Sequence, residues 1–235
     1  MEIHHNHHDS TLHHSPTVEK SDIDVSVSFD NGLFNIHLDD SEGNAPILME
    51  SHGKFMHLII ISDDFQEFYH VHPTKVDESN FNAEISLNEN KGYKAFVDIS
   101  VKDKNYLIKP LTVSSIDTHQ LVTLELDKNR TKKINGKSIE LKHSDFITGK
   151  KVDLEFLFQE GIVPDPYLGA LGHVVIIDKN IQQFIHVHPK SEHETIFETQ
   201  FDKAGIYKLW GEFQFGDSII TFPFVFEVKG NTNYH

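Results

Sequence analysis

The sequence contains no cysteine. That absence excludes disulfides, zinc-thiolate sites, iron–sulfur clusters, cysteine nucleophiles and the thiolate of blue copper together. Methionine is scarce, with three copies, which disfavours a methionine-rich copper(I) carrier. Long apolar runs are missing as well: Leu58 to Ile61 and Val174 to Ile177, the longest aliphatic stretches, span four residues each, whereas a bilayer-spanning helix needs roughly 20. No transmembrane segment is expected. Basic residues are in short supply, 21 against 36 acidic ones, giving a net charge of −15. That field repels phosphate backbones and anionic membranes and attracts cations, so nucleic acid is not an expected partner.

What the sequence has in abundance is histidine, 18 copies in 235 residues. At roughly 100 to 150 residues per domain, the length allows one large domain or two small ones. Residues 1 to 20 place His4, His5, His7, His8, His13 and His14 among small polar residues with no apolar periodicity. They read as a disordered tail that collects divalent metals weakly, an expression tag being the plain alternative. No charged-then-apolar leader opens the sequence as given, which leaves localisation open between cytoplasmic and exported.

From about residue 22 the pattern has period two. Val25, Val27 and Phe29 alternate with polar residues, Asn31-Gly32 follows, and Phe34, Ile36 and Leu38 resume the alternation. Asn-Gly is the preferred type I′ pair, and centring the turn there sets Phe29 opposite Phe34, Val27 opposite Ile36 and Val25 opposite Leu38. Further strands are expected at 57–62, 67–72, 81–87, 92–100, 106–113, 120–126, 138–143, 151–158, 173–178, 182–188, 195–201, 205–215 and 219–228. No segment carries sustained helical periodicity.

The chain repeats itself. GKFMHLIIISDDFQEFYHVHP at residues 53 to 73 returns as GALGHVVIIDKNIQQFIHVHP at 169 to 189, an offset of 116. Phe81 is echoed by Phe197, Tyr93 to Asp98 by Tyr207 to Glu212, and Lys109-Pro110-Leu111 by Phe222-Pro223-Phe224. The expected fold is all-β, with two tandem antiparallel β-sandwich repeats, residues 21–116 and 117–230, and a short C-terminal tail at 231–235.

Three histidines hold the same spacing in each repeat: His57, His70 and His72, then His173, His186 and His188. Each set brackets two apolar strands and a polar turn, so each should be an antiparallel hairpin. A turn centred on residues 63 and 64 puts His57 opposite His70, and a loop two residues longer puts it opposite His72. In both registers all three rings share a face. Cross-strand Cβ atoms about 4.5 to 5.5 Å apart let three imidazoles converge on one ion at about 2.0 to 2.1 Å. Packed core histidines are the plain alternative, but three convergent rings are hard to satisfy without a cation.

The expectation is therefore one three-histidine metal site per repeat, for a copper or zinc ion, since neutral imidazole suits both. Met56 precedes His57 where the second copy has Gly172, which makes it a candidate extra ligand of the first site, ranked below the histidines because regular strand parity turns it to the other face. Asp98 and Glu212 occupy equivalent positions and are candidates to orient a ligating imidazole, the alternative being exposed carboxylates paired with Lys94 and Lys208. Gly169 and Gly172 permit close backbone approach to the second site. His37, His52, His119, His143, His193 and His235 have no repeat partner and read as surface residues.

Leu168-Gly169-Ala170-x-Gly172-His173-x-Val175-x-Ile177, followed by Phe184-x-His186-Val187-His188-Pro189, resembles bacterial extracytoplasmic β-sandwich proteins of cupredoxin-like or immunoglobulin-like type, often linked to metal handling. The second copy, residues 164 to 189, carries the resemblance most fully; the first departs at Lys54-Phe55-Met56. The resemblance implies a sandwich and an extracellular or lipid-anchored life, and no established reaction. The expected function is sequestering, buffering or delivering a divalent metal, with a metal-exchange protein as partner; the alternatives are a metalloenzyme with an open three-histidine site and a metal-bridged adhesion or assembly module. Metal affinity is expected to fall as the pH drops through the ordinary histidine pKa near 6.5, because a protonated imidazole cannot ligate. Oligomeric state is not legible.

Overall fold

The computed structural model describes residues 20–51, 53–115, 123–187 and 189–231. The histidines of the N-terminal tail, His52, His119, His188 and His235, and the join placed near residue 117 lie outside the described residues. Those residues form strands and turns with no helix. In the first repeat these are β1 (Ile23–Asp30), β2 (Leu33–Asp40), β3 (Leu48–Met49), β4 (Met56–Ser62), β5 (Phe68–Val71), β6 (Thr74–Lys75), β7 (Asn80–Glu84), β8 (Tyr93–Val101) and β9 (Leu111–Ser114). The second has β10 (Thr131–Ile134), β11 (Lys137–Lys142), β12 (Lys151–Phe158), β13 (His173–Asp178), β14 (Phe184–Val187), β15 (Ile196–Gln200), β16 (Gly205–Phe215) and β17 (Ser218–Val228).

The opening hairpin has the expected register, with Phe29 opposite Phe34, Val27 opposite Ile36 and Val25 opposite Leu38. Asn31 and Gly32 both take positive φ, 49° and 83°, as a type I′ turn demands. Asn135-Gly136 does the same, at 47° and 76°, and pairs β10 with β11. The period-two pattern does not mark β10 as a strand, because Lys132 and Lys133 interrupt its apolar alternation. The strand expected at 106–113 is confined to β9, and residues 123–126 of the one expected at 120–126 form no strand.

Each repeat is a sandwich of two antiparallel sheets. In the first, β1-β2-β7-β6 faces β3-β8-β4-β5, with β9 paired to β8. In the second, β10-β11-β12-β15 faces β14-β13-β16-β17. Side-chain parity distributes the apolar residues among three cores rather than two. Leu58 and Ile60 of β4 point inward with Phe34, Ile36, Leu38, Phe81 and Val97. Val174 and Ile176 of β13 point inward with Leu141, Leu154, Phe156, Phe197 and Phe222. The alternate residues Ile59, Ile61, Phe65 and Phe96 of the first repeat pack against Val175, Ile177, Ile181 and Trp210 of the second in a third core between the repeats.

A strand apolar on both faces is thus apolar because two different cores claim it. His57 shares parity with Ile59 and Ile61, and His173 with Val175 and Ile177. The histidine faces are therefore the docking faces.

Candidate metal centre

His57 lies on β4, His70 on β5, His173 on β13 and His186 on β14; His72 follows the end of β5. The β4–β5 register sets Leu58 opposite Val71 and Ile59 opposite His70, so His57 faces the position of His72, the longer-loop alternative. The loop between is set by Phe65, held at φ 58° with its N–H donated to the Ser62 carbonyl. Ile181, its counterpart, has φ 54° and donates to the Asp178 carbonyl. Both side chains enter the core between the repeats, burial that offsets the cost of a left-handed conformation.

Where one triad per repeat is expected, the cluster found among the described residues draws its histidines from both repeats. His57, His70 and His186 each offer a ring nitrogen, and the three nitrogens lie within 4.8 Å of one another. His57 Nδ1 is 3.0 Å from His70 Nε2 and 3.2 Å from His72 Nε2. The His173 ring stands 5.8 Å from that of His70 and 6.1 Å from that of His186, centre to centre. The triads meet because the apolar residues beside them dock, a long-range event with no signature in either repeat alone.

The docking is reciprocal. His70 Nδ1 meets Glu212 Oε2 at 2.5 Å, and His186 Nδ1 meets Asp98 Oδ2 at 2.7 Å. In its own sheet Asp98 is opposite His57 and Glu212 opposite His173, yet each carboxylate holds a histidine of the other repeat. The aromatic residues cross in the same way. Trp210 stacks on Phe68 at 4.7 Å, and Phe96 on Phe184 at 5.0 Å. A pseudo-two-fold axis relating the repeats runs through the cluster. The lysine pairings weighed for the two acids are not formed: Lys94 bonds Thr112, and Lys208 donates to the Phe65 carbonyl while lying over the Trp210 ring.

The partners fix the tautomers. His57 Nε2 faces the Ser51 carbonyl at 3.1 Å and His173 Nε2 the Tyr167 carbonyl at 3.1 Å. A carbonyl or carboxylate oxygen only accepts, so the ring proton of a neutral His57 or His173 resides on Nε2 and that of His70 or His186 on Nδ1. The remaining lone pair then belongs to Nδ1 of His57 and His173 and to Nε2 of His70 and His186. The carbonyls are presented by matching turns, in which Ser51 pairs with Lys54 and Tyr167 with Ala170. Leu168 and Gly169 of the second turn have φ 52° and 78°.

Burial favours the neutral rings. His57 and His173 are 1% and 2% exposed. Desolvation, partly opposed by the Ser51 carbonyl, lowers His57 to about 4. Desolvation and then the neighbouring His70 lower His173 to about 2, and desolvation with His70 and His57 lowers His72 to about 3. Proton competition at these rings therefore sets in well below the expected 6.5.

Met56 lies in the core of the first sandwich, 1% exposed, and is no ligand. It pairs with Ile99. At Gly172, its counterpart, a Cβ would come within 2.5 Å of the Phe213 ring and 3.0 Å of the Glu212 carbonyl. The exchange conserves core volume: one repeat has a large residue on the first strand, the other on the second. Of the remaining described histidines, His37 bonds Asn80 and Asp39 at the surface, His143 stacks on Phe146 and His193 is exposed.

No curated protein matches the chain in sequence. Among solved structures it is similar to a two-domain fibronectin type III segment of chicken tenascin, with 11% identity, 87% of this chain and 98% of the other covered, and a TM-score of 0.28. It is also similar to the FN1–FN3 domains of chicken CNTN1, with 10% identity, 89% and 66% covered, and a TM-score of 0.26. A family match covers residues 30–115 and 132–230, most of both sandwiches, and the chain belongs to that family, a domain of unknown function (DUF8832).

Proposed function

We propose that the protein binds a divalent transition-metal ion, copper(II) or zinc, at the histidine cluster between its repeats, and that the ion joins the two sandwiches into one unit. The role is assembly around a metal rather than turnover. One observation carries this reading: His57 Nδ1 and His70 Nε2 stand 3.0 Å apart, while the opposite nitrogen of each ring faces an oxygen that can only accept. Two lone pairs that close call for a positive centre, a proton or a metal ion. A carboxylate or carbonyl holding the outer ring N–H is the usual support of a metal-ligating imidazole. The net charge of −15 raises the local concentration of cations. The two acids nearest the cluster hold ring protons, which argues against their use as general bases in a metalloenzyme.

Stoichiometry tests the reading. In the full chain with the six tail histidines replaced by serine, elemental analysis and native mass spectrometry are expected to find one tightly held ion. Either His57→Ala or His186→Ala should remove it, although the two residues belong to different repeats. Two ions, each lost with one repeat's histidines only, would restore separate sites; no ion would end the metal reading.

A further inference from the structure

Resting on that reading, we infer that the centre is a closed four-histidine site with His173 as the fourth ligand, so that each repeat supplies two ligands and no coordination position is left for a substrate. The pseudo-two-fold axis exchanges His57 with His173 and His70 with His186. A set of His57, His70 and His186 lacks only His173 to obey it. Hydrogen bonding selects the same four rings. His57 and His173 turn Nε2 to backbone carbonyls, and His70 and His186 turn Nδ1 to carboxylates of the opposite repeat. His72 differs: its Nε2 faces His57 Nδ1 at 3.2 Å, and among the described residues no carbonyl or carboxylate holds its Nδ1.

The spacing of the rings indicates the coordination geometry. Four imidazoles held tetrahedrally at about 2.0 to 2.1 Å, each ring centre roughly 1.2 Å behind its nitrogen, have centres about 5.2 Å apart along all six edges. A square-planar set has four edges of about 4.6 Å and two of about 6.5 Å. Here the edges are 5.3 Å for His57–His70, 5.0 Å for His57–His186 and 5.7 Å for His70–His186. Those to His173 are 6.3 Å from His57, 5.8 Å from His70 and 6.1 Å from His186. No set of four short edges is present, and the shape is a tetrahedron expanded at one corner. An inward movement of His173 of roughly half an ångström to one ångström closes it. Tetrahedral imidazole coordination favours zinc over copper(II), and a filled shell is the mark of a structural rather than a catalytic zinc.

The test uses the full chain with serine at the six tail positions, loaded with Zn²⁺ or with Co²⁺ as a spectroscopic substitute. X-ray absorption at the zinc edge should give four nitrogen neighbours at about 2.0 Å with imidazole scattering, and the Co²⁺ form should show the intense visible bands of a tetrahedral ion. His173→Gln should weaken Zn²⁺ binding at least 100-fold and shift those bands as water takes the fourth position. Three imidazoles and a water in the parent protein would overturn the inference while leaving the metal reading intact. So would unchanged bands in a folded His173→Gln variant. If that variant does not fold, the parent's absorption spectrum decides alone. A parent that takes up neither ion overturns both readings.

Discussion

Asp98 and Glu212 each stand in one sandwich and hold a ring of the other, so their effects should cross between repeats. The contacts are short, 2.7 Å from Asp98 to His186 and 2.5 Å from Glu212 to His70, and a carboxylate behind a ligating imidazole fixes the tautomer and raises its basicity. Asp98→Asn and Glu212→Gln keep the shape and remove the charge. Each is expected to cost 10- to 100-fold in metal affinity, measured by competition with a chelator of known strength, with the fold retained by circular dichroism. Full affinity in both variants would mean that the carboxylates serve only to dock the repeats. Position 98 was legible as a candidate because its repeat partner is also acidic and also follows an aromatic residue by two. Its target was not legible, because the partner ring belongs to a strand 88 residues away that is brought there by docking rather than by pairing.

The strands show why some of the fold could be read and the docking could not. Period-two alternation and Asn31-Gly32 determine the first hairpin and its register because a one-residue slip would turn every apolar side chain to solvent. The β4–β5 hairpin offers no such penalty, being apolar on both faces, and its loop closes through a left-handed Phe65 that has no glycine to announce it. Gly172 on the entry to β13 makes the packing testable. A Cβ there would meet the Phe213 ring at 2.5 Å and the Glu212 carbonyl at 3.0 Å, so the strand carrying Glu212 must give way. Gly172→Ala is expected to destabilise the protein by about 1 to 3 kcal/mol, seen as a lower urea midpoint, and to weaken metal binding as Glu212 shifts from His70. The first repeat supplies the control: Met56→Ala removes core volume at the equivalent place, costs about 2 to 5 kcal/mol and leaves the ligands in position. If Gly172→Ala matched the parent in both stability and affinity, the close packing of β13 on β16 would be refuted.

At the scale of the whole molecule, three desolvated imidazoles in one interface, two buried and one half-buried, make the metal-free protein sensitive to acid. His57, His72 and His173 are lowered to about 4, 3 and 2, in each case chiefly by desolvation, whereas in the unfolded chain each titrates near 6.5. Between these values the unfolded state binds protons that the folded state refuses, so stability falls as pH falls. The slope is at most about 1.4 kcal/mol per pH unit for each ring. The loss begins just above pH 6.5, and the His57 share stops growing near pH 4, where the folded ring also protonates. Above pH 7.5 these rings add no slope. A bound ion adds to stability in proportion to the logarithm of its concentration over its dissociation constant, about 2.7 kcal/mol at a hundredfold excess. Chelation at pH 7.5 should therefore lower the urea midpoint, and acidification should lower it again in the chelated protein. Urea unfolding from pH 8 to pH 5, with and without Zn²⁺, measures both effects, and His57→Leu should flatten the metal-free curve by one ring's share. A metal-free midpoint that holds constant or rises from pH 7 to pH 5 would show that these rings accept protons in place, and that the interface between the repeats opens to water without losing its fold.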